Sequence, residues 1–327
     1  MTVLVVVDHD RGTLAAAVPG TLTAGRNLAN ELGTTCEVLT IGAQADSLSG
    51  TLSAYGASVI RQAHHEILVD YGPDAWGEVL AQVVRQYMPQ IVIGCGTERG
   101  NEVIAQAAAR LDLPAVMNCT EFFINDTSDE TLAMTRTRWG GSLLEKTELD
   151  SPIKLVTLAE YSTAPIESKV ESQIIQFVPS LDQAESHSIV QDRAERIAGV
   201  TLATSPVVVS GGRGVGSAEG FAPLEELAAL LGGVVGCSRA VTNNGWRNHT
   251  DQVGQTGTRI APDIYIACGI SGAIQHWVGA MASKNILAIN IDREANIVTK
   301  AGYAVIGDLH KVVPAICAEI KRRRGES

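Results

Sequence analysis

Aromatic residues and basic charges are scarce in this sequence of 327 residues. Phe, Trp and Tyr together make up only 4% of the chain, which disfavours a surface that binds its partner by aromatic stacking. Lys and Arg number 25 against 36 Asp and Glu, so the formal charge at pH 7 is −11. A protein this acidic is a poor candidate for following a phosphate backbone. We therefore expect no nucleic-acid partner.

The sequence also lacks the patterns of a disulfide framework, a metal site and a membrane span. Its six cysteines are scattered singly, without a C-x-x-C pair, and its seven histidines are dispersed along the chain. This is typical of buried thiols in a reducing compartment. No apolar run reaches the 18 residues that indicate a membrane helix. The N-terminal VLVVVDHD has neither the basic region nor the cleavage site of a signal peptide. We expect a metal-free cytoplasmic protein, with no direct membrane insertion, whose first residues form a strand.

Hydrophobic residues are plentiful, at 45% of the chain, and in residues 1–120 they alternate between short β-branched runs and longer amphipathic segments. This alternation predicts a parallel sheet with right-handed crossovers. The predicted strands are Val3–Val7, Cys36–Ile41, Glu66–Val69 and Ile91–Gly94, and the predicted helices are Gly20–Leu32, Trp76–Tyr87 and Glu98–Leu111. From Thr131 onward, the runs LAMTRTRW, SLLEKTEL and IKLVTLAEY predict three consecutive strands with an antiparallel edge.

A polar stretch, LDQAESHSIVQDRAERI, separates two halves of different composition. We interpret it as a linker and predict a boundary at residue 195, which gives domains 1–195 and 196–327. The second half repeats the alternation of strands and helices. Its predicted strands are Pro206–Ser210, Ile264–Cys268, Ile286–Ile289 and Tyr303–Ile306, and its predicted helices are Phe221–Leu231, Ala273–Met281 and Val312–Arg323. The predicted fold class is α/β, with an N-terminal parallel-sheet domain of nucleotide-binding type and a doubly wound C-terminal domain.

The second half contains four glycine-rich loops, each just after a predicted strand or between a strand and a helix: VVVSGGRGVGS, GCSRAVTNNGW, DQVGQTGTRIAPDIYIACG and GISGAIQHWVG. Ligands of open parallel sheets bind at the carboxyl edge of the strands, so four such loops indicate one large ligand. In the first loop, Arg213 stands among glycines, and backbone N–H groups with a guanidinium suit a diphosphate. The third loop offers Gln252, Gln255 and Thr256, which suit the edge of a heteroaromatic ring and include no nucleophile–base pair.

Three of the four loops also have a purely structural interpretation. The glycines around Arg213 are equally consistent with a tight strand–helix turn, and the loop is neither G-x-x-x-x-G-K-[ST] nor G-x-G-x-x-G. Ser238 and Arg239 are consistent with a surface hydroxyl beside an arginine that makes a salt bridge. His276 is consistent with a histidine packed on a helix surface. Single loops therefore leave the function open.

The loops taken together are more specific. From Gly211 to Val313, the runs GCSRA, QVGQTG, PDIYIACGISGAIQH, ILAINID and GYAVIGDLHKVVP resemble the C-terminal domain of the electron transfer flavoprotein alpha subunit family, in order and spacing. The first half resembles that family more loosely, in VLVVVDH, TERGNEVIAQAAARLDLP and TRTRWGGSLLEK.

This resemblance implies a C-terminal FAD-binding domain and an N-terminal domain in contact with a partner. It implies a heterodimer with a beta subunit. The FAD of this heterodimer accepts electrons from a flavin dehydrogenase, such as the acyl-CoA dehydrogenases of fatty acid beta-oxidation. The electrons then pass to a quinone oxidoreductase or another acceptor, so the chain is an electron carrier without its own substrate turnover. The FAD contacts implied by the matching positions are Arg213, Ser238, Arg239, Val253, Gly254, Gln255, Thr256, Ser271, Gly272, Ala273, Ile274, Gln275, His276, Asn290, Asp308 and Leu309.

The resemblance also implies roles within this set. Arg213 corresponds to an arginine near the flavin, Arg239 lies against the ring, and Asp308 belongs to the adenosine end. Thr256 stands near flavin N5, and His276 near the pyrimidine oxygens. We expect a guanidinium, a histidine and a helix N-terminus to supply positive potential where the reduced ring gains negative charge.

Two other functions are weighed against this one. A regulatory module that senses NAD or an adenine nucleotide has the same fold class, since doubly wound domains host many functions. The pairing of QVGQTG with GISGAIQH argues against it, because these runs supply groups for a ring edge as well as for phosphates. A stand-alone oxidoreductase requires an acid–base pair at a substrate pocket, and the sequence offers no convincing His–carboxylate pair.

Overall fold

The computed structural model describes residues 2–124, 131–141, 143–185, 187–190 and 200–325. The chain divides into two compact units, one formed by Met1–Arg138 with Leu143–Glu195 and the other by Trp139–Ser142 with Arg196–Ser327. The predicted boundary at residue 195, and the second part of the predicted linker from residue 191 onward, lie outside the described residues, so the boundary stays a prediction.

The first unit contains a nine-stranded sheet and a two-stranded hairpin. Its strands are β1 (Thr2–Val6), β2 (His9–Asp10), β3 (Thr13–Leu14), β4 (Thr35–Ile41), β5 (Val59–Ala63), β6 (Ile91–Cys95), β7 (Ala115–Phe123), β8 (Thr131–Arg138), β9 (Leu143–Asp150), β10 (Lys154–Leu158) and β11 (Gln173–Phe177). Its α-helices are α1 (Val18–Glu31), α2 (Ser49–Ala54), α3 (Pro73–Tyr87) and α4 (Glu98–Leu111). The strand order is β11-β5-β4-β1-β6-β10-β7-β8-β9, parallel as far as β7 and antiparallel from β7 to β9.

Both faces of this sheet are covered. In β1, Val3 and Val5 pack into the core on one face, which also contains Leu22 of α1. Leu4 packs into the core on the other face, together with Val79 of α3. A continuous apolar run such as Val3–Val7 is therefore required, because neither face of the strand meets water.

The prediction of a strand at Glu66–Val69 is wrong. These residues form a 3-10 helix in which Val69 is 57% exposed, and the strand is β5, which precedes it. Polar residues hid this strand from the sequence analysis: Arg61 is buried in β5 and donates two hydrogen bonds, of 2.8 and 2.6 Å, to the carboxylate of Glu37 in β4.

The predicted antiparallel edge is confirmed for β8 and β9 but wrong for the third run. Residues 154–158 form β10, which lies inside the sheet and pairs in parallel with both β6 and β7. All five of its residues are buried, as is typical of a strand covered on two faces. The strand that begins the antiparallel edge is β7, which the sequence analysis missed.

The second unit is a five-stranded, fully parallel sheet with helices on both faces. Its elements are β12 (Val207–Gly211), α5 (Ala222–Leu230), β13 (Val234–Cys237), α6 (Arg239–Asn243), β14 (Ile264–Cys268), α7 (Ile274–Ala280), β15 (Asn285–Asn290), α8 (Asn296–Lys300), β16 (Tyr303–Ile306) and α9 (Leu309–Arg324). Side chains of α5 and α9 share the core on one face, and those of α7 and α8 share the other. The predicted α/β fold class is confirmed in both units.

The order of the second sheet decides where a ligand can bind. It is β13-β12-β14-β15-β16, so the chain first moves outward from β12 to β13 and then crosses back to β14. The connections after β12 and β14 consequently leave the sheet in different directions and open a crevice between them. Open α/β sheets bind ligands at such a switch point. Among the described residues, no helix is both long and apolar enough to cross a membrane.

Candidate functional site

A cavity of about 400 Å³ lies at the carboxyl edge of the second sheet. Because its five strands are parallel, the loops that follow them all emerge on this side. Residues from all five loops line the cavity, so it contains the switch point. Six predicted FAD contacts are among the lining residues: Arg213, Ser238, Ser271, Asn290, Asp308 and Leu309.

Glycines bring the two loops of the switch point into contact. Gly212 donates its backbone N–H to the carbonyl of Cys268 at 2.9 Å, and Gly214 donates to the carbonyl of Gly269 at 3.1 Å. A Cβ atom built on Gly212 would lie 2.3 Å from the Gly269 oxygen, so no larger residue fits there. The tight-turn interpretation of this loop is therefore correct as far as its backbone is concerned. Arg213, between the two glycines, is exposed and lines the cavity, as the phosphate interpretation requires.

Asn290 and Asp308 shape the far side of the cavity. Asn290 is buried at the end of β15, where Nδ2 donates to the carbonyl of Ile270 at 2.9 Å and Oδ1 accepts the N–H of Asp292 at 3.1 Å. Asp308 caps α9 by accepting the N–H of His310 at 3.0 Å. Leu309 follows it and is largely buried in the core. These contacts hold the loops after β15 and β16 in fixed positions.

Eight of the other ten predicted contacts, all except Arg239 and Gly272, form a second cluster, which we call the ring segment pair: residues 253–256 and residues 273–276. Gln255 donates its N–H to the carbonyl of Gln275 at 2.7 Å, which joins the two segments. Gly254 has φ of +142°, and a Cβ atom on Gly279 would lie 2.4 Å from its Cα, so glycine is needed at both positions. The side chains of Gln255 and Thr256 are exposed.

Buried groups next to the ring segment pair fix its position. Gln252 is 1% exposed, and its Nε2 donates to Oγ1 of Thr256 at 2.9 Å. Val253 donates its N–H to the carbonyl of Cys237 at 2.9 Å, which ties residues 253–256 to the end of β13. Gly272, with φ of +76°, packs so closely on α8 that a Cβ would lie 2.3 Å from the backbone nitrogen of Ile297.

His276 is buried inside this cluster, and its pKa is lowered to about 4 because burial disfavours the charged ring. Its Nε2 is hydrogen-bonded to the hydroxyl of Tyr265, at a distance of 2.7 Å. Its Nδ1 has no hydrogen bond of normal geometry within the described residues, although the backbone of Val253 is close enough to oppose the lowering of the pKa in part. The imidazole of this chain is therefore neutral at pH 7, and the positive potential expected from it beside a flavin stays a prediction.

Positive charge at the site comes instead from two exposed arginines. Arg213 lines the cavity, and Arg239 begins α6, between two cavity-lining residues, Ser238 and Ala240. Neither arginine forms an ion pair within the described part of the chain. Their guanidinium groups are therefore available to an anionic ligand.

Several residues of the site were not predicted from the sequence. Asp292 and Ala295 line the cavity, and their position just after β15 is the signal that could have identified them. Tyr265 was missed because it lies inside β14 and looks like any other core residue. No group of three or more His, Cys, Asp or Glu suited to a metal ion occurs among the described residues.

Comparison with known proteins gives the site a family. Residues 3–191 match the model described as "Electron transfer flavoprotein domain", and residues 201–281 match "Electron transfer flavoprotein FAD-binding domain". The chain is 34% identical to electron transfer flavoprotein subunit alpha of Clostridium acetobutylicum, over 91% of this chain and 90% of that protein. The chain belongs to the electron transfer flavoprotein alpha subunit family.

Two further relatives of this alpha-family chain have similar coverage. It is 33% identical to electron transfer flavoprotein subunit alpha of Bacillus subtilis, over 92% of the chain and 91% of that protein. It is 31% identical to Protein FixB of Bradyrhizobium diazoefficiens, over 98% of the chain and 89% of that protein. The predicted family is thus confirmed along both units.

The cofactor is FAD, after which the second matched domain is named. The residues present fit this group in two respects. Arg213 lines the cavity at an exposed position, so its guanidinium suits the diphosphate of this cofactor. At the ring segment pair, the buried Nδ1 of His276 lacks a partner of normal geometry, as a hydrogen-bonding group reserved for a ligand would.

Proposed function

We propose that this chain is the alpha subunit of a heterodimeric electron transfer flavoprotein, in which it holds FAD and carries electrons. Its partner is a beta subunit, its donors are flavin dehydrogenases such as acyl-CoA dehydrogenases, and its acceptor is a quinone oxidoreductase or another redox protein. The observation that carries this proposal is the cavity at the switch point of the second sheet. Six of the FAD contacts predicted from sequence line it.

The chemistry of the cavity supports a carrier more than an enzyme. Its lining contains no histidine, cysteine or lysine among the described residues. The two lining carboxylates, Asp292 and Asp308, accept backbone N–H groups and so serve the local turns. A substrate-converting site needs a general acid or base within reach of its substrate, and no such pair stands out here.

We assign the binding roles by position. The guanidinium of Arg213 binds the diphosphate, and Asn290 and Asp308 border the adenosine end. Arg239, Gln255, Thr256 and His276 bind the isoalloxazine ring. When bound, FAD supplies the redox chemistry through that ring, and the protein sets its affinity and potential.

Co-expression with the beta subunit tests this proposal. The purified pair should be yellow, with a flavin absorption spectrum, and should elute from size-exclusion chromatography as one species near the summed mass. The flavin should be reduced by substrate-loaded acyl-CoA dehydrogenase and reoxidised by a quinone oxidoreductase. A stable FAD-loaded monomer that ignores the beta subunit would contradict the heterodimer. A colourless protein that binds NAD or AMP would instead favour the regulatory module.

A further inference from the structure

Tyr265 and His276 form a pair whose hydrogen bond none of the predicted roles uses. Tyr265 is fully buried in β14, His276 is 7% exposed in α7, and Oη of the phenol lies 2.7 Å from Nε2 of the imidazole. The ring centroids are 6.1 Å apart and the planes are tilted by 34°. The two rings therefore meet edge to edge through this one hydrogen bond.

The direction of the bond follows from the surroundings of the phenol. Burial raises the pKa of Tyr265, and the nearby Ser210 hydroxyl opposes this only in part, so the phenol keeps its proton. Ser210 Oγ is itself without a hydrogen bond of normal geometry. Within the described residues, Nε2 of His276 is the only well-placed acceptor for the Tyr265 proton. Tyr265 is thus the donor and Nε2 the acceptor.

A neutral imidazole that accepts at Nε2 carries its proton at Nδ1. This nitrogen is buried and makes no hydrogen bond of normal geometry within the described residues, and the backbone of Val253 lies close enough to the imidazole to raise its pKa in part. Val253 is the first residue of the ring segment pair. The Nδ1–H group of His276 is therefore a donor without a good partner, at the position that the resemblance assigns to the flavin.

We propose that Tyr265 is a positioning residue, which fixes His276 as the neutral Nδ1–H tautomer and so makes it a hydrogen-bond donor toward the bound ring. The inference rests on the proposed FAD site for the identity of the acceptor, but not for the tautomer itself. His276 then acts as a neutral donor, and Tyr265 determines which of its nitrogens donates.

The tautomer can be measured directly by ¹⁵N–¹H correlation spectra of the imidazole in the full-length chain, before and after FAD is added. Without FAD, we expect the Nδ1–H pattern at pH 7. In Tyr265→Phe, which removes only the hydroxyl, this preference should be lost. An Nε2–H pattern in the unsubstituted chain, or an unchanged Nδ1–H pattern in Tyr265→Phe, would overturn the proposal. The Nε2–H pattern would be seen in the unsubstituted chain, so the proposal can be refuted even if Tyr265→Phe folds poorly.

The consequence for the cofactor is tested in the same proteins. Tyr265→Phe should raise the dissociation constant for FAD about tenfold, because a misdirected buried donor leaves its acceptor unpaired. The matched control is Tyr303→Phe, on the exposed strand β16, which should leave the constant unchanged. In a His276→Asn background, where an amide nitrogen replaces Nδ1, Tyr265→Phe should cost little more. An equal loss in both backgrounds would reduce Tyr265 to a packing residue. If the tautomer is as expected but FAD does not bind, the proposed function fails and the assignment of the tautomer stands.

Discussion

The buried imidazole of His276 makes the stability of the second unit depend on pH. Its pKa is about 4 in the folded chain, against 6.5 for the unperturbed group. Between these two values the unfolded state binds a proton that the folded state does not. Stability is therefore fully present above about pH 6.5 and falls as the pH is lowered toward 4.

The size of the effect follows from the same two values. At 1.36 kcal/mol per pKa unit, full protonation in acid lowers the free energy of unfolding by about 3 kcal/mol. About 2 kcal/mol of this loss is reached at pH 5. A loss of this size is a large fraction of the stability of a typical domain.

Urea unfolding at pH 8 and pH 5, followed by tryptophan fluorescence, measures the loss. The pKa of His9 in the first unit is also lowered by burial, so the raw pH profile contains a second contribution of the same sign. The readout is therefore the difference between the chain and its His276→Gln variant, in which about 2 kcal/mol of the pH dependence should disappear. His310→Gln, at an exposed position, is the matched control. If the pH dependence is the same in His276→Gln as in the parent, the imidazole is not the buried neutral group described above.

Three further predictions concern the cofactor site and its backbone. Arg213→Ala should raise the dissociation constant for FAD about tenfold or more, because a charged hydrogen bond to phosphate contributes about 1.5–3 kcal/mol. A fluorescence titration measures this constant, with Arg322→Ala as the control. An unchanged constant would mean that the loop is only a structural turn. Arg239→Ala should keep FAD bound but lower its reduction potential, by about 30 mV for each 1.4 kcal/mol lost in a two-electron couple. Equilibrium reduction against indicator dyes tests this, and a fixed or raised potential would assign Arg239 to packing or partner docking. Gly212→Ala should destabilise the second unit by about 1–3 kcal/mol, since its Cβ would lie 2.3 Å from a carbonyl oxygen, whereas Gly302→Ala, with nothing within 4 Å, should have little effect on the urea midpoint.

Local patterns predicted most of the elements because burial on both faces leaves a clear mark. Val3–Val7 is apolar throughout for this reason, and α4 was predicted with its observed bounds, Glu98–Leu111. The failures occurred where a distant residue decides. Arg61 makes β5 look polar, and its burial is explained by two distant partners, the carboxylate of Glu37 on the adjacent strand and the ring of Tyr87. Residues 154–158 contain nothing that distinguishes an edge hairpin from a central strand, since their neighbours come from elsewhere in the chain.

In the site, too, the sequence did not reveal contacts between residues that are distant in the chain. Loop position was predictable, because parallel topology gathers the carboxyl ends of β12 to β16 at one edge whatever the details of packing. The charge of His276 was not predictable, because the sequence does not reveal that α7 buries this residue against β14. The hydroxyl of Tyr265, eleven positions earlier in the chain, was invisible for the same reason.

The burial of His276 also explains why the charged groups of the proposed site are exposed and its buried histidine is neutral. A guanidinium stays charged at an exposed position without losing its hydration, and both Arg213 and Arg239 are exposed. An imidazolium at the position of His276 would have to lose its hydration without gaining a counter-ion, which is why its pKa falls to about 4. The fold therefore leaves positive charge on the rim of the proposed FAD site and retains a neutral donor inside it. The rim charges attract an anionic ligand but are screened by salt, whereas a buried hydrogen bond is screened much less. The proposed contributions of Arg213 and Arg239 to FAD affinity and reduction potential should therefore weaken as salt is added, whereas that of His276 should change little.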